Sequence, residues 1–269
     1  MKKTIVILAL LSLFVMPIFA RGDQITISGS TTVLPIAQAT AEVFMDNNPE
    51  INISVRGGGS SVGIAGIMAG TVDIGDASRH IKAKELAKAR ESGINPVENV
   101  VANDGIAIVV HKNNSVKNLT LQQIQDIYTG KISNWKEIGG PKLPIVVISR
   151  DVSSGTFEVF NVMALKKMQQ VDSALMLASN NAVVSTISTT PGAIGYAGLG
   201  YITGNVNVVK VNDITPTKRT IQSKEYPIAR TLHMYTNGNP KGLVKQYIDF
   251  VLSPEGQKIV EEQGFISVK

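Results

Sequence analysis

The 269-residue chain has no cysteine. That excludes disulfides, thiolate metal sites and cysteine nucleophiles, and with them the anchoring cysteine of an exported lipoprotein. Histidine is scarce: His80, His111 and His233 lie far apart without paired ligand spacing, so no zinc site is expected. Aromatic residues make up only 5%, and neither an arginine-rich run nor an aromatic–basic array is present, which argues against nucleic acid. The glycine-rich dinucleotide fingerprint and the P-loop are both missing, so nucleotide chemistry has no support and no cofactor is expected. Long apolar runs are missing too, except one at the start. Lys2 and Lys3 precede TIVILALLSLFVMPIF, and Ala20 offers a small residue for cleavage. Residues 1–20 read as a secretory signal peptide, since the run is short for a spanning helix and Pro17 breaks it. The mature chain is expected to be soluble and periplasmic. Of the formal net charge of +5, two units leave with Lys2 and Lys3, and the remainder is too mild to imply a polyanionic partner.

What is present is a device used three times. ITISGSTTVLPIA, INISVRGGGSSVGIAGIM and VVISRDVSSGTFEVF each run from a β-rich stretch through a small hydroxyl-and-glycine turn into a helix-like stretch. A helix start carries unpaired backbone N–H groups and partial positive charge, which suits an anion. Taken singly, Ser30, Thr31 and Thr32 could equally cap a helix, and the three glycines before Ser60 could equally form a tight turn. Arg150 could equally make a surface ion pair with Asp151. Together, following strands, they suggest a shared oxyanion site in which Arg150 supplies a planar fork.

Strands and helices alternate throughout, predicting an α/β protein. Strands are expected at 25–28, 51–55, 71–75, 105–112, 145–149, 193–201 and 228–236, the fourth apolar enough to be buried on both faces. Helical spacing follows the first strand through Val33, Ala37, Ala41, Phe44 and Met45, and covers 82–93 as a solvated helix. It recurs after Leu119 as far as Gly130, through Phe157, Phe160 and Ala164, across 173–190, and across 242–264. No low-complexity segment or tandem repeat is present.

One enzyme reading competes. GSSVG at 59–63 fits the G-x-S-x-G nucleophile elbow with Ser61 as nucleophile, in a strand–turn–helix setting. It would need His111 or His233 as base, and neither sits in a recognisable catalytic context.

GSTTVLPIA, GGGSSVGI, VDIGDASR, DGIAIVVHK, IYTGKISNWKEIGG and RDVSSGTFEVF, in that order, resemble the phosphate-binding proteins of bacterial phosphate ABC transporters, which belong to the periplasmic substrate-binding proteins. The resemblance spans nearly the whole mature chain. It implies an α/β protein of two lobes, each a β-sheet flanked by helices, with inorganic phosphate in the cleft between them. It also implies no catalysis, a monomer, and delivery to the membrane permease subunits of an ABC transporter. One lobe is expected from 21–104 plus 230–269 and the other from 105–229, with hinge crossings near 103–107 and 226–232. The family's ligands fall on Thr31, Thr32, Ser60, Arg150, Ser154, Gly155 and Thr156. Better-known members carry an aspartate where this chain has Ser78, followed by Arg79. Protonated phosphate needs an acceptor and sulfate does not, so the missing carboxylate keeps sulfate or molybdate open as ligands. Asp104 is the expected acceptor, with Asp76 as the alternative, although Asp104 could equally be a turn residue before Gly105. Arg79 is expected to add a second positive charge, or else to make an exposed salt bridge.

Overall fold

A computed structural model describes residues 23–269; the expected signal segment lies outside the described residues. The chain opens with β1 (Gln24–Gly29), α1 (Leu34–Asn47), β2 (Asn52–Gly57), α2 (Ser60–Ala69), β3 (Ile74–Ala77) and α3 (Ala83–Glu91). A 16-residue strand, β4 (Pro96–His111), leads to β5 (Asn118–Leu119), α4 (Leu121–Tyr128), β6 (Val146–Arg150), α5 (Gly155–Met163), β7 (Leu175–Leu177), α6 (Asn180–Thr189) and β8 (Ala193–Gly198). The remainder is β9 (Val206–Val211), α7 (Lys218–Gln222), β10 (Ala229–Asn237), α8 (Gly242–Val251) and α9 (Pro254–Glu262).

Strand β4 organises the molecule because it belongs to two sheets in succession. Its first part, Pro96–Gly105, pairs antiparallel with β10, and the order runs on as β10-β3-β1-β2. From Ile106 onward it pairs instead with β8 on one side and, from Ile108, with β9 on the other, and β8 continues to β6 and β7. The change of partners falls at Gly105/Ile106.

Each sheet has its own core. Ile25, Ile27, Phe44, Leu232, Tyr247 and Phe265 pack together over the first, and Tyr128, Trp135, Phe160, Tyr196 and Tyr226 over the second. Ile106, Ala107, Ile108, Val109 and Val110 are completely buried, as a strand covered on both faces should be. The result is a two-lobed α/β protein.

Three local expectations change. Residues 175–177 form β7, beside β6, and the helix starts only at Asn180, where the Ser179 hydroxyl accepts a bond from the Ala182 N–H (3.1 Å). The C-terminal helical stretch breaks into α8 and α9, because Ser253 caps a new start and Pro254 takes its first turn. Finally, the early half of β4 extends well ahead of the apolar run that announced it.

Candidate functional site

The three hydroxyl turns, which follow β1, β2 and β6, come into contact with one another. The first turn follows β1, and the Ser30 hydroxyl accepts from Thr32 N–H (3.1 Å). This leaves the side chains of Thr31 and Thr32 projecting toward the other lobe. Thr32 Oγ1 lies 3.0 Å from Thr156 Oγ1 and 3.0 Å from Asn180 Nδ2. The second turn reaches α2 through Gly59, whose φ of +95° suits glycine. It places the Ser60 hydroxyl to accept from Ser78 N–H (2.9 Å), with Ser78 Oγ 3.3 Å away. The third turn leaves β6 at Arg150, and Ser154 caps α5 by accepting from Phe157 N–H (3.2 Å). A methyl group on Gly155 would fall against Ser60 Oγ and Ser78 Oγ, so the start of α5 packs directly on the Ser60 side chain at the start of α2.

Two guanidinium groups are buried here. Arg150 is wholly inaccessible; it donates from Nε to Leu177 O (3.0 Å) and from Nη2 to Ala178 O (3.0 Å) and Thr31 Oγ1 (3.2 Å). Its Nη1 is buried with no acceptor on the protein. Burial pushes its pKa down, and Asp151, with Oδ2 3.6 Å from Nη2, opposes that shift. Arg230, on β10, donates from Nη1 to Thr156 Oγ1 (3.0 Å) and Ser78 O (3.2 Å). Its Nε and Nη2 face Asp104 Oδ2 at 2.9 and 2.8 Å. Burial lowers the Arg230 pKa and Asp104 raises it again. Burial likewise raises the Asp104 carboxyl, against Arg230 and the N–H of Leu199, which donates to Oδ1 (2.9 Å). Positive charge, hydroxyls and two helix starts converge on one water-poor spot, which is what a small oxyanion requires.

The PBP superfamily domain profile matches residues 20–255. The phosphate-binding protein PstS of Bacillus subtilis is 36% identical over 256 residues, covering 93% of this chain and 84% of the relative. PstS of Borreliella burgdorferi is 34% identical with both chains covered in full. The chain belongs to the PstS family of phosphate-binding proteins. Solved PstS-like structures agree with the architecture. A Clostridium perfringens protein, described as a phosphate ABC transporter substrate-binding protein and solved with bound phosphate, superposes with a TM-score of 0.86 at 39% identity. It covers 92% of this chain and is itself covered in full. An ABC-type phosphate transport receptor from Vibrio cholerae gives a TM-score of 0.75 at 31% identity, with 90% of this chain and 99% of that one covered.

Measured against the PstS-like motifs, Thr31, Thr32, Ser60, Ser78, Arg150, Ser154, Gly155 and Thr156 all gather at the lobe interface. Arg79 does not join them. Its Nη1 and Nη2 face Glu85 (2.8 and 2.7 Å) and its Nε lies 3.0 Å from Glu158 Oε2 on α5, so two carboxylates hold it as a strap between lobes. The second buried guanidinium beside these hydroxyls belongs to Arg230. Ser61 Oγ accepts from Arg79 Nη2 (3.2 Å), while His233 Nε2 lies 3.0 Å from Thr231 Oγ1 and His111 Nδ1 accepts from Asn113 N–H. No imidazole bonds Ser61 among the described residues, and the relatives are named as binding proteins rather than enzymes.

Asp76 is also elsewhere. Strand alternation places it on the face of Ile74, which packs in the core with Tyr247, and its Oδ1 has no partner. Burial holds its carboxyl well above the usual carboxylate range. An acid raised on folding adds stability below its unfolded pKa of about 3.9, and loses that contribution as pH rises through the folded value. At neutral pH the buried carboxyl therefore opposes folding. Asp76→Asn is expected to raise the melting temperature at pH 7 by a few degrees, for about 1–3 kcal/mol, and to add little near pH 4. Scanning calorimetry at both values checks this, and an equal gain at both would contradict it.

Sequence reasoning missed Arg230, Asn180 and Tyr201, whose hydroxyl donates to Thr31 O. Arg230 lies within a strand pattern beside the expected crossing, and an arginine in so apolar a stretch was the available signal.

Proposed function

We propose that this chain is the extracytoplasmic receptor of a phosphate ABC transporter: it captures inorganic phosphate between its lobes and delivers it to the permease subunits in the membrane. The observation that carries this reading is Arg150 Nη1, a buried charged donor with no protein acceptor, on a guanidinium whose Nη2 bonds Thr31 Oγ1 of the first hydroxyl turn. The proposed ligands are Thr31, Thr32, Ser60, Ser78, Arg150, Ser154, Gly155 and Thr156, joined by Arg230 and Asn180. Asp104 orients Arg230 through Oδ2 and serves as the acceptor for a phosphate proton.

The lobes divide on this reading into 21–104 plus 230–269 and 105–229, hinged where β4 changes sheets and where the chain returns into β10. Closure is held by Ser61 N–H donating to Ser153 O (3.0 Å), by Thr32 on Thr156, and by Arg79 and Lys82 on Glu158. Charge-assisted hydrogen bonds contribute about 1.5–3 kcal/mol each. Several of them, less phosphate dehydration, suffice for micromolar affinity, about −8 kcal/mol. Among the described residues no helix is long and apolar enough to cross a membrane. Export through cleavage after Ala20, a periplasmic location and a monomeric state complete the reading.

Calorimetric titration of the ligand-stripped mature chain tests it. Saturable one-to-one phosphate binding that tenfold excess sulfate fails to displace is expected. Equal or tighter sulfate binding would assign the site to another tetrahedral oxyanion, consistent with Ser78 at the family's aspartate position.

A further inference from the structure

On the first sheet, away from the anion cluster, three metal-ligating side chains converge. Glu98 stands opposite Tyr235 in the β4–β10 ladder, and His233 lies two residues from Tyr235 on the same face of β10. His80 enters from the segment after β3. Its Nδ1 is 2.9 Å from Glu98 Oε1, and His233 Nδ1 is 3.2 Å from the same oxygen. All three atoms lie within 4.8 Å of one another. Tetrahedral zinc with ligand bonds of about 2.0–2.2 Å sets neighbouring donors roughly 3.3 Å apart, so this spacing needs only small adjustment.

A second observation separates the trio from a chance surface cluster. His233 is completely buried, yet its Nδ1 has no aligned hydrogen-bond partner, despite the carboxylate beside it. The far side of the ring is held by Thr231, whose Oγ1 is 3.0 Å from Nε2. With Nε2–H donating to Thr231, the Nδ1 lone pair faces the Glu98 oxygen, an electron-rich pair that a cation between them would relieve. The Tyr235 hydroxyl donates to Glu98 Oε1, so both inner ligands have the outer-layer partners that metal sites use for orientation.

We infer that His80, Glu98 and His233 form a binding site for a borderline divalent cation, best matched by zinc, with water in the fourth position. Two imidazoles and one carboxylate favour zinc over calcium or magnesium, which prefer all-oxygen sets. Access is open: the His80 side chain is 72% exposed, and a groove of about 680 Å³ runs beside His80 and His233. The nearby cations do not forbid it, because Arg79 is neutralised by Glu85 and Glu158 and Arg230 by Asp104. The site lies outside the phosphate ligands proposed above, and its readout does not depend on them. Its residues are scattered at positions 80, 98 and 233, so no sequence spacing announces it.

Titration of the metal-free mature chain with zinc chloride in phosphate-free buffer, read by calorimetry, tests the inference. Cobalt chloride read by visible absorption provides the geometry. One equivalent of zinc and an intense tetrahedral cobalt spectrum are expected. His80→Ala, at an exposed ring, and Glu98→Gln should each weaken zinc at least about tenfold, while His111→Ala changes nothing. Absence of saturable zinc binding, or wild-type zinc affinity in His80→Ala, would overturn it.

Discussion

Replacing Arg150 with alanine is expected to weaken phosphate binding at least about 100-fold, the largest single effect at this site. The substitution removes the Nη1 donor that has no protein acceptor and the Nη2 that steadies Thr31. Two charge-assisted bonds at about 1.5–3 kcal/mol each set the scale. Because Arg150 also bonds Leu177 O and Ala178 O, a thermal melt must show that the variant folds. Arg150→Lys keeps the charge but not the planar fork, and should recover only part of the loss. Calorimetric affinity within threefold of wild type in a folded Arg150→Ala variant would remove Arg150 from the site.

Gly155→Ala tests the approach of the lobes rather than any single hydrogen bond. Alanine is a better helix former than glycine, so α5 itself should tolerate the change. The added methyl nevertheless falls against Ser60 Oγ and Ser78 Oγ across the interface. Overpacking of this kind costs about 1–3 kcal/mol, and only the closed form bears that cost. Phosphate affinity is expected to fall about 5- to 150-fold, with the melting temperature of the ligand-free chain nearly unchanged. Small-angle scattering should show less compaction on phosphate addition. Wild-type affinity would mean that the two helix starts need not meet for binding.

The hydroxyl turns were legible because each concentrates residue types with a specific backbone use, and all three do meet. The second half of β4 was legible because Ile106–Val110 are buried on both faces, whereas Pro96–Asp104 has mixed polarity, being covered unevenly. β7 escaped notice because its three residues, Leu175, Met176 and Leu177, sit at a sheet edge and run directly into helical spacing. Arg79 takes its ion-pair alternative for a physical reason. Its motif neighbours the site, but Glu85 and Glu158 compete for its guanidinium, and neither pairing is visible along the chain. Arg230 reaches the site only through the antiparallel pairing of β10 with β4, which sets it opposite Asp104.

On the proposed function, one tetrahedral anion is held where the three turns meet. A crystal structure of the mature chain with phosphate tests it most directly. Phosphate is expected between the lobes, within hydrogen-bond distance of Arg150 Nη1, the Thr32 and Thr156 hydroxyls and Ser60. Phosphate bound instead in the groove beside Arg79, or an empty cluster at saturating phosphate, would contradict it.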